Sequence, residues 1–131
     1  MAEAFLFTAA ASGTATRLGV YLDGSNAAGQ VVVGLYTHNK GNPGTLLAHG
    51  TIVAPKAAAW NTVTIPVTQI TAGVKYWIAI LGPATTGTVQ FRDRGTGTKN
   101  ETSAQTDLTA LPATWSPGVV YFNAPASAYA K

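Results

Sequence analysis

The chain has 131 residues, a formal net charge of +3 and 47% apolar residues, which suits one domain with a real core and is too short for two. Charged residues make up only 10%, while 23 alanines, 19 threonines and 14 glycines dominate; this excludes coiled coils, charge-rich tails and solvated helical bundles. Cysteine is absent, which removes disulfide frameworks, thiolate zinc sites and cysteine nucleophiles, and no apolar run approaches the ~20 residues of a membrane-spanning helix.

In chain order, Glu3 to Thr8 (EAFLFT) is a short aromatic-rich apolar run. Thr14 to Asp23 alternates, with Leu18, Val20 and Leu22 pointing one way and Arg17, Tyr21 and Asp23 the other, the period-two signature of a half-buried strand. It stops at Gly24-Ser25-Asn26. Val31 to His38 follows, with Val31, Val33, Leu35 and Thr37 on one face, and the turn formers Asn39 to Gly44 interrupt it. Thr45 to Val53 and Trp60 to Pro66 read as further strands, and Val74 to Leu81 (VKYWIAIL), the most apolar run, predicts a central strand. After the loop Gly82 to Gly87, Thr88 to Arg94 alternates again, setting Gln90, Arg92 and Arg94 opposite Val89, Phe91 and Asp93. Gly95 to Thr106 is polar and without period. A last strand is expected around Val119 to Asn123, or in a run reaching Ala128.

Strands about every ten residues, separated by Gly/Pro/Asn turns and with no helical stripe, predict one all-β domain over residues 1–131: a two-sheet antiparallel β-sandwich of jelly-roll type. Its core should join the Leu18/Val20/Leu22 face to the Val31/Val33/Leu35 face.

Six stretches, together with Trp60, carry a family likeness. Ala15 to Asp23 (ATRLGVYLD), Val33 to Thr37 (VGLYT) with Gly41 to Ala48 (GNPGTLLA), and Ala72 to Trp77 (AGVKYW) with the ending Leu111 to Trp115 and Ala124 to Ala130 resemble bacterial extracellular jelly-roll modules similar to carbohydrate-binding modules. Such modules are appended to secreted glycoside hydrolases, adhesins and phage-tail-like proteins. The resemblance spans nearly the whole chain, rests on turn and core residues, and implies the fold together with an extracellular or cell-surface location. It brings no catalytic constellation. Met1-Ala2-Glu3 lacks the basic and apolar pattern of a signal peptide, so either the protein is intracellular or, as the resemblance implies, a leader is absent from this sequence.

The residues themselves argue against an enzyme. The carboxylates are Glu3, Asp23, Asp93, Glu101 and Asp107, and Asp93, flanked by two arginines, reads as a surface ion pair. His38 and His49 fit no metal-ligand spacing, and no serine lies in G-x-S-x-G. A jelly roll can hold a structural calcium ion, but five carboxylates spread along the chain offer few oxygen ligands, and no cofactor is expected. The basic residues are scattered rather than gathered in a stripe, so nucleic acid is not an expected partner.

Aromatic side chains remain. Sugar rings present C–H faces that stack on indole and phenol rings, while Arg, Asp and Asn bind hydroxyls. Trp115, in a segment stiffened by Pro112 and Pro117, and Trp60, at a strand start, are expected to be exposed and to bind a glycan. Arg92 and Arg94 are expected as donors on one strand face, and Tyr36 as a further contact. Two functions follow as expectations: a non-catalytic polysaccharide-binding module, or a structural, adhesive module that associates with copies of itself through strand edges and low charge.

Overall fold

The computed structural model describes residues 1–92 and 97–131. Among them, nine strands occur and no helix: β1 (Glu3–Thr8), β2 (Gly13–Leu22), β3 (Gln30–Asn39), β4 (Asn42–Val53), β5 (Ala59–Ile70), β6 (Lys75–Leu81), β7 (Asn100–Ser103), β8 (Pro117–Tyr121) and β9 (Ala128–Ala130). They form two antiparallel sheets, β4-β3-β6-β1-β7-β8 and β5-β2-β9, packed as the expected sandwich. Accordingly, no described helix is long and apolar enough to cross a membrane.

The inner core lies between the sheets. Leu18, Val20 and Leu22 of β2 meet Val31, Val33 and Leu35 of β3, joined by Phe5, Ile65, Tyr76, Ile78 and Ile80, as the period-two faces required. A second core lies on the other side of the six-stranded sheet. Here Val32, Tyr36, Trp77, Ala79 and Leu81 pack beneath Leu111 and Trp115. The segment 104–116 crosses this face. It is tied to β4 by Leu46 N–H to Ala113 C=O (2.9 Å) and Trp115 N–H to Gly44 C=O (3.1 Å), and closed by Ala104 N–H to Ser116 C=O (2.8 Å). β6, between β3 and β1, is therefore covered on both faces, which explains its unbroken apolar run: Tyr76, Ile78 and Ile80 point inward, and Trp77, Ala79 and Leu81 outward.

Three local expectations are corrected. The β3–β4 turn is only Lys40-Gly41, both with positive φ (48° and 92°), a geometry that suits a two-residue hairpin; Asn42-Pro43-Gly44 already belongs to β4. Proline is tolerated there because β4 is an edge strand. Thr88 to Phe91 makes a single bridge, Leu22 to Phe91, rather than a strand, and residues 93 and 94 lie outside the described residues. The polar stretch after Gly95 contains β7, whose Asn100, Glu101 and Ser103 are buried. Polar residues on a buried strand leave no apolar period to read. The chain's end forms two strands, β8 and β9, in different sheets.

Candidate functional site

The outer face of the three-stranded sheet carries the clearest functional arrangement. Because Leu18, Val20 and Leu22 point into the core, alternation sends Arg17, Gly19 and Tyr21 outward. The β2–β5 register sets Tyr21 opposite Trp60, and the β2–β9 register sets Gly19 opposite Tyr129. The three rings form a continuous cluster. Tyr21 and Trp60 meet edge to face at 5.8 Å, and Trp60 and Tyr129 lie 5.2 Å apart, tilted by 51°. Trp60 is 50% exposed and Tyr129 36%.

Gly19 makes this possible. A Cβ at that position would come within 2.4 Å of the Tyr129 ring, so the phenol lies over β2 only because the site has no side chain.

Arg92 borders the cluster. Its guanidinium lies 4.8 Å from the centre of the Tyr21 ring, within cation–π range, and its Nη2 donates to Asp23 Oδ2 at 3.3 Å. Asp23 also accepts from Ser25 N–H (3.1 Å) and Ser25 O–H (3.0 Å). Those Ser25 bonds first, and Arg92 second, hold its carboxyl below the ordinary aspartate value. The chain around Arg92 is fixed by backbone bonds on both sides, Asp23 N–H to Gln90 C=O (2.8 Å) and Ser127 N–H to Arg92 C=O (2.9 Å). Three half-open aromatic faces thus sit beside a cation with free donors and a carboxylate with free acceptor capacity. The arrangement can stack on a flat, partly apolar ligand and hydrogen-bond its rim.

The structure brings two of the expected ligand residues, Trp60 and Arg92, together around Tyr21, a neighbour that the alternating strand suggests, and joins to them Tyr129, which the sequence does not single out as a ligand residue. The signal for Tyr21 is its place on the outward face of an alternating strand, where an aromatic has no core to fill. Tyr129 carries no comparable signal, since its neighbour Gly19 is 110 residues away in sequence. Arg94 lies outside the described residues.

Trp115 and Tyr36 are corrected. Both are buried, at 5% and 0% exposure, and stack edge to face at 5.3 Å in the second core. Tyr36 O–H donates to Pro112 C=O at 2.6 Å, burial drives its phenol pKa far up, and no sugar ring can reach either face. Pro112 and Pro117 shape a segment that closes over the sheet instead of exposing its indole.

Trp115 instead serves a buried acid. Its Nε1–H donates to Glu101 Oε1 at 2.9 Å, while Glu101, with no exposed surface, leaves Oε2 without a partner. Burial raises the Glu101 pKa; the Trp115 bond and the charge of Lys99 oppose the rise more weakly. A raised folded-state value means that the folded protein holds this proton more tightly than the unfolded chain. Its contribution to stability is therefore greatest at acid pH and is lost as the pH rises through the folded value. Glu101→Gln keeps an acceptor for Trp115 and removes the buried charge. It should be more stable than wild type at pH ~7 by about 1–3 kcal/mol, with the difference shrinking toward pH ~4 in thermal melts.

Comparison of the chain with protein-family models, curated proteins and solved structures gives no match, so the geometry alone carries the functional reading.

Proposed function

We propose that the protein is a non-catalytic, extracellular or cell-surface module that binds polysaccharide on the Trp60–Tyr21–Tyr129 platform. The observation that supports this reading is the exposed aromatic cluster on one sheet face, flanked by Arg92 and Asp23. A pyranose offers C–H groups on its faces and hydroxyls around its rim. Stacking on the rings desolvates the first, while the guanidinium and carboxylate exchange water for the second. An open platform also accepts a chain that continues past it in both directions. Arg17, Thr62 and Thr64 extend the same exposed face as polar neighbours.

The test is affinity electrophoresis through gels containing a panel of soluble polysaccharides. Wild type should be retarded by at least one. Trp60→Ala should weaken retention about tenfold, the equivalent of ~1.4 kcal/mol, with little change in melting temperature, because the indole is half exposed. Gly19→Val, which pushes Tyr129 off β2, should do the same while leaving Trp60 in place. Unchanged retention in both variants overturns the platform.

One observation favours a second reading, a self-associating structural module. β8 is an edge strand exposed along its whole length, and Val119, Val120, Tyr121 and Phe122 are all exposed, the last at 75%. Natural edges usually carry charge to prevent pairing; no charged residue occurs between Leu108 and Ala130. Absence of retention on every polysaccharide, together with a dimer in sedimentation velocity, would put this reading first.

A further inference from the structure

The sandwich has a second concavity at the end where β3 finishes and β6 begins. It is a cleft of about 520 Å³ whose lining includes Thr37, Gln69, Lys75 and Tyr76, with Leu47 and Val74 as aliphatic walls. We propose that this cleft binds a small organic carboxylate, an acidic sugar being the class that matches its donors and its walls. The site is separate from the aromatic platform, and the proposal does not depend on it.

The argument rests on which hydrogen-bonding capacity remains. Thr37 Oγ1 accepts the Thr45 N–H at 2.9 Å, and Tyr76 Oη accepts the Thr71 N–H at 3.0 Å. With backbone amides on their acceptor sides, both hydroxyls are left with a hydrogen to donate. Lys75 is exposed and has three donors, and Gln69 has an exposed amide. No carboxylate lines the cleft. A carboxylate, which only accepts and carries negative charge, matches the donors of these four groups. Leu47 and Val74, both exposed, offer an apolar wall to the body that bears the charge.

The surrounding charge has the same sign. Lys99 Nζ donates to Gly41 C=O and lies 5.4 Å from the centre of the Trp77 ring, which in turn stacks on His38 at 6.1 Å. His38 lies on the cleft wall and feels both Lys75 and Lys99, which, after burial, push its pKa down. Its Nδ1 receives the Trp77 Nε1–H (3.1 Å) and its Nε2 faces the Gly41 N–H (3.3 Å). The neutral ring accepts one of these two N–H groups, its other nitrogen carrying the hydrogen, and protonation would remove that acceptor as well; the charge beside the cleft is therefore assigned to the lysines. The Arg92–Asp23 ion pair lies on the aromatic platform, and no carboxylate lines the cleft beside Lys75.

The test is a ¹H–¹⁵N NMR titration of the intact chain with three probes: glucuronate, glucose (the body without the charge) and acetate (the charge without the body). Glucuronate should shift the Thr45 and Thr71 amides and the His38 ring saturably, at least tenfold more tightly than either control. Lys75→Gln should weaken glucuronate at least fivefold, and added salt should weaken it further. Trp60→Ala should leave it unchanged, which separates this cleft from the platform. Equal binding of glucose or acetate, absence of a saturable shift with glucuronate, or full affinity in Lys75→Gln overturns the proposal.

Discussion

Trp115→Ala should cost ~3–5 kcal/mol and be the most damaging single truncation outside the inner core. Trp115 is 5% exposed, packs edge to face on Tyr36, and supplies the hydrogen bond that partly satisfies Glu101. Its removal opens a cavity beneath segment 104–116 and leaves both oxygens of a fully buried carboxylate without a donor. The second loss adds to the first, because an unpaired buried polar group costs about 1–3 kcal/mol, and more when charged. Chemical denaturation would measure the sum. The double variant Trp115→Ala/Glu101→Gln isolates the second part, since removing the charge should recover a portion of the stability. A Trp115→Ala melt within 1 kcal/mol of wild type would mean that segment 104–116 contributes nothing to the fold.

Ile78→Ala should cost ~2–5 kcal/mol. Ile78 is 3% exposed on the inner face of β6, opposite Phe5 of β1 on one side and Leu35 of β3 on the other. Those neighbours are held by backbone ladders on both flanks, so they cannot close on the space that the lost side chain leaves. That places the cost toward the upper part of the range. Val67→Ala on β5, where the side chain is exposed, is the control and should change stability by less than about 0.5 kcal/mol. Equal effects at the two positions would contradict the central place of β6.

The sandwich was legible because period two is a local property. β2 and β3 show their inward faces within their own residues: Leu18/Val20/Leu22 and Val31/Val33/Leu35 need no partner to declare which side is apolar. β6 declared itself by having no polar side at all. β7 was hidden for the opposite reason. Its buried Asn100, Glu101 and Ser103 are compatible with a core only because particular partners reach them, Trp115 Nε1–H for Glu101 and the Ala2 N–H for Ser103 Oγ.

The site divides in the same way. Composition and alternation established by themselves an all-β, disulfide-free domain, the outward direction of Tyr21, and the start of a strand at Trp60. Whether an aromatic is wall or surface depended on what the rest of the chain laid over it. Trp115 and Trp60 look alike in sequence, yet segment 104–116 buries one against Tyr36 while the outer face of a three-stranded sheet leaves the other open. The Tyr129 ring over Gly19, the guanidinium of Arg92 beside Tyr21, and the lysine charges around His38 join residues between 37 and 110 positions apart. Distances of that kind are set by sheet register and by the crossing of segments, which no local pattern encodes; only the tertiary structure decided them.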